Sequence, residues 1–253
     1  MELVLERPIT ESITSGIYRQ LKRNLMIGRL KPGDTLTLKA LSESLGTSQT
    51  PVREALLRLV SERLLTLVHG RSITVPVLTL ETFLELRAIR IHLETFATRN
   101  AMPRLTDADV AAIEATHERY MECRHAGDYG GVLAANIDFH FRLYAAAGMP
   151  TLLAMIENLW AQTGPYAGFM YQTSATEHPD GHPHEHVIAA LKARDVRRTV
   201  AMIRLDVQRH GNRMIEYLST AGHFDQGAKA DAAPRRRVAR RPTPAARDAG
   251  IGH

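Results

Sequence analysis

The stretch Leu45-Gly46-Thr47-Ser48-Gln49-Thr50-Pro51-Val52-Arg53-Glu54-Ala55-Leu56 constrains this chain more than any other. Gly46 tolerates the left-handed backbone that ends a helix, Ser48 or Gln49 can cap a following helix, and Pro51 suits a first helical turn. Before the turn, Leu36 to Leu45 predicts a short amphipathic helix with Leu38, Leu41 and Leu45 on one face. After it, Val52, Leu56, Leu59 and Val60 recur at the spacing of a buried helical face. Gln49, Thr50 and Arg53 are left to point outward. Two helices joined by a tight turn, the second opening with small polar donors and an arginine, are the means by which a chain reads DNA base edges.

The bare pattern also fits ordinary helical hairpins, so its flanks matter. Upstream, Ile13, Ile17, Leu21 and Leu25 mark a helix between Ile9 and Ile27, which Gly28-Arg29-Leu30-Lys31-Pro32-Gly33-Asp34 then breaks. Downstream, Leu65 to Val68, a turn at His69-Gly70-Arg71-Ser72, and Ile73 to Val75 predict a β-hairpin with a basic tip, a wing. Helix, helix-turn-helix and wing within about 70 residues make a complete small domain. We assign it residues 1–76, with Pro76 marking the linker and with Ser48, Gln49, Thr50, Arg53, His69, Gly70 and Arg71 as its DNA contacts.

Charge is distributed to match. Residues 1–78 hold 11 Lys/Arg and 7 Asp/Glu, residues 79–223 hold 14 and 17, and residues 224–253 hold 7 and 3. The basic excess therefore sits at the two ends, and at the first of them it agrees with phosphate neutralisation. A single cysteine excludes a disulfide framework and points to a reducing compartment. No run of 18 apolar residues and no secretory leader is legible, so the expectation is a cytoplasmic protein without a membrane partner.

The middle of the chain reads as helix after helix. Leu80 to Asn100 carries an apolar stripe; Thr106, with Asp109 three residues on, caps a helix to about His125; further helices are expected over Asp128 to Ala147, Thr151 to Tyr171, His182 to Ala193 and Asp195 to Leu218. Breaks fall at Gly148-Met149-Pro150 and around His178-Pro179-Asp180-Gly181. About six helices form an all-α bundle, residues 77–222. Residues 223–253, rich in Arg, Ala and Pro without apolar periodicity, read as a disordered basic tail. The fold class is thus mainly α, a winged helix-turn-helix followed by a helical bundle.

These strings resemble the GntR family of bacterial transcription regulators. The likeness runs through Gly28 to Leu36, Leu41-Ser42-Glu43-Ser44-Leu45-Gly46, Ser48 to Leu56, Leu59 and the wing at His69-Gly70. One departure is Gln49, where the family usually has arginine; an amide there favours adenine over phosphate or guanine. The second half resembles the FCD effector domain of the family's FadR-like branch, through Glu85 to Glu94, Asn136-Ile137-Asp138-Phe139-His140, Leu143, Ala147-Gly148, and His184 with Ala190-Leu191 and Arg194-Asp195. That resemblance implies a homodimer on operator DNA, released or retained by a small carboxylate effector. It also implies a divalent ion of the zinc, nickel or manganese class in the bundle, on Asn136, His140, His184 and, in place of a histidine, Asp206. Arg90 is implied beside the effector, together with Asn136, His140 and His184.

Other readings of the same residues stand beside these. Asn136 and His140, four apart, share a helix face and can meet one ion, as can Asp206 and His210, whereas Asp138 faces away from His140. His178, His182 and His186 read as a polar loop. Arg90 can pair locally with Glu94. Trp160, Tyr166 and Tyr171 read as core or pocket wall. The rival function is a metal-dependent hydrolase, since imidazoles and a carboxylate around an open ion can activate water. No His-Glu-x-x-His string, nucleophile elbow or phosphate loop supports it. A DNA-binding repressor answering to a small organic acid is the favoured reading.

Overall fold

The structure is a computed structural model; residues 12–68, 72–171, 182–222 and 224 are described. The chain opens with α1 (Ile13–Met26), a two-residue strand β1 (Thr35–Leu36), α2 (Leu38–Leu45), α3 (Gln49–Ser61), β2 (Thr66–Val68) and β3 (Ser72–Thr74). Six helices follow: α4 (Leu80–Ala101), α5 (Asp107–His125), α6 (Tyr129–Ala145), α7 (Pro150–Tyr171), α8 (Pro183–Lys192) and α9 (Val196–Ala221). No helix among the described residues is long and apolar enough to cross a membrane.

Local chemistry sets most of these boundaries. Gly46 ends α2 in the left-handed conformation at φ 61°. Thr106 and Asp109 form a reciprocal capping box on α5, each side chain bonding the other's backbone N–H. Helix α2 starts two residues later than expected. Thr37 caps it by accepting from the Ala40 N–H, and Leu36 belongs instead to β1, paired with Ile73 of β3. The wing is therefore an antiparallel three-stranded sheet in the order β1-β3-β2. Ser48 occupies the cap position of α3, but its side chain makes no capping bond. The hairpin tip His69-Gly70-Arg71 lies outside the described residues, as do residues 223 and 225–253 of the expected tail. Phe224 is described, and its ring lies 5.6 Å from Phe83 and 5.7 Å from Tyr166.

Two apolar cores form, and each borrows a residue from the other half. The N-terminal core gathers Ile17, Leu21 and Leu25 of α1, Val52, Leu56 and Leu59 of α3, and Ile73 of β3, and includes Ala161 of α7. The bundle core gathers Phe83, Tyr120, Phe139, Leu143, Ile156, Leu191 and Ile203, and includes Ile27 from the end of α1. The seam between α1 and α7 is close because Gly164 has no side chain: a Cβ there would collide with the Leu25 and Met26 backbone. Around it, the Asn158 side-chain amide donates to the Glu62 carbonyl at 3.2 Å, Lys22 pairs with Glu157 at 3.6 Å, and Arg23 pairs with Asp138 at 3.5 Å. Asp138 is thus turned from His140 toward the DNA-binding half. The linker is held too, the Leu78 N–H donating to the Tyr166 hydroxyl at 2.6 Å.

Candidate effector and metal site

Helix α3 presents Gln49, Thr50 and Arg53 to solvent, with Ser48 exposed just before them, while Val52, Ala55, Leu56 and Leu59 are wholly buried beneath. Burial of one face dictates exposure of the other. Arg58, on the same helix, is engaged within the protein. Its guanidinium lies 3.8 Å from the Tyr18 ring centroid and pairs with Glu62 at 3.2 Å.

Inside the bundle is a cavity of about 70 Å³, lined from α4 by Arg87 and Arg90, from α6 by Asn136 and His140, from α7 by Trp160 and Thr163, and from α9 by Asp206, Arg209, His210 and Arg213. Met26 of α1 completes the wall. A water position needs ~10–15 Å³ on this measure, so the space suits a few waters or a small organic anion. Among the described residues, four arginines against one lining carboxylate make it a cationic pocket.

His140, His184 and Asp206 come together there, their ligand-capable atoms within 4.8 Å of one another, and Asn136 lines the same cavity one turn before His140. Hydrogen-bond bookkeeping on His140 is informative. The Tyr144 hydroxyl gives its only proton to Glu94 Oε2 at 2.6 Å, so its oxygen accepts from His140 Nδ1 at 3.1 Å. His140 Nε2 then faces Asp206 Oδ2 at 3.0 Å, which requires a second proton on the ring or a cation between the two groups. His184 is fully buried, and neither of its ring nitrogens has a hydrogen-bond partner among the described residues. Orphaned donors and acceptors at such depth are costly unless an ion or ligand meets them. The donor set therefore fits a divalent ion of the borderline class.

Electrostatics favour the ligand-competent forms. Burial lowers the His184 pKa far below the ordinary imidazole value, outweighing the opposing charge of Asp206 and leaving the ring neutral. Burial alone raises the Asp206 carboxyl. The hydrogen bond and charge of the facing His140, with smaller contributions from the neighbouring rings, outweigh that and hold the group well below the usual carboxylate range. Burial also pushes His210 down to about 4, with Arg90 adding to the effect against the pull of Asp206.

Arg90 makes the local pair with Glu94 and also lines the cavity. Its Nε pairs with Glu94 at 2.7 Å, a terminal nitrogen donates to Thr163 at 3.1 Å, and its guanidinium lies 4.2 Å from the Trp160 ring centroid. Glu94, at 0% exposure, also accepts from Trp160 Nε1 at 3.0 Å. Arg90 is therefore an anchored cation at the cavity wall, with part of its charge already answered by Glu94. Arg87, Arg209 and Arg213 escaped the sequence reading because arginines on amphipathic helices look like solvated faces.

The polar-loop reading fails for His182. It is buried, lines the cavity and caps α8, its Nδ1 accepting the His184 N–H at 3.2 Å. His186 is half-buried on α8 itself, and His178 lies outside the described residues. Trp160 and Tyr166 are buried as expected, and the side chain of Tyr171 lies outside the described set. His117 was missed. It falls on the apolar stripe of α5 with Val110, Ile113 and Tyr120, and that placement was the available signal.

Residues 13–75 match the bacterial regulatory proteins of the gntR family, and residues 85–209 match the FCD domain. The chain belongs to the GntR family. It is 37% identical over 188 residues to the HTH-type transcriptional regulator McbR of Escherichia coli (strain K12), covering 73% of this chain and 84% of that protein. It is 28% identical over 199 residues to the HTH-type transcriptional repressor GlaR of the same organism, covering 74% and 89%. The solved structure of E. coli McbR/YncC superposes with a TM-score of 0.77 at 33% identity, over 82% of this chain and 99% of that one. The protein is a helix-turn-helix transcriptional regulator of this family with an FCD domain.

Proposed function

We propose that this regulator is a homodimeric cytoplasmic repressor whose α3 enters the major groove of operator DNA and whose bundle cavity takes a small carboxylate effector. In this reading Gln49, Thr50 and Arg53 read bases, with Ser48 and the wing residues His69, Gly70 and Arg71 on the backbone or minor groove. Asn136, His140, His184 and Asp206 hold a divalent ion that supplies positive charge to the effector, and Arg90 clamps its carboxylate. Dimerisation doubles the few base pairs one α3 can read. The hydrolase alternative is set aside because the matching relatives are named as regulators and repressors.

The observation that carries the proposal is the cavity wall: it includes Met26, so one side of the effector space is built from the helix that supports the DNA-reading half. An occupant that displaces Met26 acts on α1, and through α1 on α3, against which it packs. The test is fluorescence anisotropy on an operator obtained by selection from random DNA, with small mono- and dicarboxylates added to metal-loaded protein. At least one acid should weaken DNA binding tenfold or more in the wild type. The His140→Ala/His184→Ala protein should bind the operator normally and no longer respond. Loss of operator binding in that folded variant would place the site in the DNA-bound state instead of in the switch.

A further inference from the structure

On the far side of His184 lies a group of side chains that the proposed effector site does not use. His117 from α5, His182 at the start of α8 and His184 bring ligand-capable atoms within 4.8 Å of one another, all three residues buried. The ring centroids are 5.4 Å apart for His117 and His182, 5.4 Å for His117 and His184, and 4.5 Å for His182 and His184. Among the described residues, His117 Nδ1 has no hydrogen-bond partner, and neither has either nitrogen of His184.

We infer that His117, His182 and His184 form a second seat for a divalent transition-metal ion, sharing His184 with the seat made by His140 and Asp206. Ring nitrogens of His117 and His184 left without partners at this depth are costly, and a cation among the three rings would satisfy them. An all-imidazole set suits Zn²⁺, Ni²⁺, Co²⁺ or Cu²⁺ and disfavours Mn²⁺ or Mg²⁺. Glu185 Oε1 lies 3.9 Å from His117 Nε2, on the side of the ring away from the orphaned Nδ1. That is beyond hydrogen-bond reach, and a small shift of the exposed Glu185 side chain would place its carboxylate where it fixes the tautomer of a ligating histidine. Tyr120, stacked against His117 with centroids 6.1 Å apart, and His182 both line the cavity, so an ion reaches this seat by the route an effector takes.

Lone-pair arithmetic makes the seat conditional. A neutral imidazole has one in-plane lone pair. His184 can offer it to His140 and Asp206 through one nitrogen or to His117 and His182 through the other, according to its tautomer. His182 now uses its Nδ1 to cap α8, so its ligation exchanges the cap bond for a metal bond. The two seats thus compete for His184, and occupation of the second loosens the start of α8. This inference stands whether or not His140 and Asp206 hold an ion.

The experiment titrates full-length protein with Co²⁺ alone, reading the visible absorption of the bound ion, in two complementary backgrounds. His140→Phe disables the first seat and leaves the second; His117→Phe disables the second and leaves the first. Circular dichroism checks that each variant is folded. The His140→Phe protein should bind Co²⁺, and adding His117→Phe to it should weaken binding at least tenfold. His182→Ser, which preserves a capping side chain while deleting the ligand, should do the same and covers the case in which His117→Phe does not fold. Three-nitrogen hyperfine structure in the Cu²⁺ electron paramagnetic resonance of the His140→Phe protein should accompany this. An absence of Co²⁺ binding in His140→Phe, or binding unchanged by both His117→Phe and His182→Ser in that background, overturns the second seat. Co²⁺ binding in His117→Phe alone reports separately on the first.

Discussion

At the scale of single residues, two positions carry most of the argument. Arg53 is an exposed cation on the outward face of α3, and its neighbours Val52 and Leu56 are fixed in the core, so its direction is not adjustable. Arg53→Ala should cost about 1–3 kcal/mol of specific operator binding if the residue reads a base. Anisotropy titrations against the selected operator measure this, and unchanged affinity would remove Arg53 from the interface. Glu94 is the second. It accepts from Arg90, Tyr144 and Trp160, which reach it from α4, α6 and α7. Glu94→Ala leaves the Arg90 charge without its partner in a buried setting and should destabilise the fold by roughly 3–5 kcal/mol in urea unfolding. A loss below about 1 kcal/mol would show that the network is not holding the bundle. Tyr144, hydrogen-bonded to that carboxylate, has its hydroxyl pKa raised well above the ordinary phenol value by burial first and by Glu94 second, so it stays a donor.

At the scale of elements, the α1–α7 seam is the mechanical joint. Gly164→Ala places a methyl group against the Leu25 and Met26 backbone, which cannot rotate away as a side chain could. The expected loss is about 1–3 kcal/mol of stability, together with altered operator affinity, by urea unfolding and anisotropy. A variant as stable as wild type would mean that the two helices are not pressed together there. Elements were also the best-read level of the sequence. The capping box at Thr106 and Asp109, the left-handed Gly46 and the Gly148 to Pro150 break are local signals, and local chemistry sets the helix ends they mark. What escaped was set from a distance. Strand β1 is two residues long, and the alternating Thr35-Leu36-Thr37-Leu38 yields to a helix reading unless β3 is known to lie beside it. His117 sits among apolar residues on its own helix and gains meaning only from α8. The i,i+4 pair of Arg90 and Glu94 looked like a local ion pair because Tyr144 and Trp160 lie 50 and 66 residues further on. Periodicity could not bring His140, His184 and Asp206 together either; only a spacing shared with a family carries tertiary information of that kind, and in the structure the three stand within 4.8 Å of one another.

At the scale of the whole molecule, the buried histidines make stability depend on pH. His117, His184 and His210 all have pKa values below the ordinary imidazole value of 6.5, each through burial first, and His210 sits at about 4. A depressed folded value means that the unfolded chain takes up protons first. The stability from these groups is therefore complete above about pH 6.5 and is lost as the pH falls toward about 4. Thermal melts of chelator-treated protein between about pH 7.5 and 4.5 should show a falling midpoint across that window. A flat midpoint would mean that the rings are not held neutral. Zinc should raise the midpoint most at the upper end, because protons and metal compete for the same nitrogens.

Met26 has one more consequence. A wall contributed by the DNA-reading half makes the cavity a joint property of both halves, so its affinity for any occupant is tied to where α1 rests. If operator binding repositions α1, the operator changes the dissociation constant of the acid by the same factor by which the acid changes that of the operator, because both describe one closed thermodynamic cycle. The acid can then be characterised from either side of the molecule, and two independent titrations must return one coupling constant.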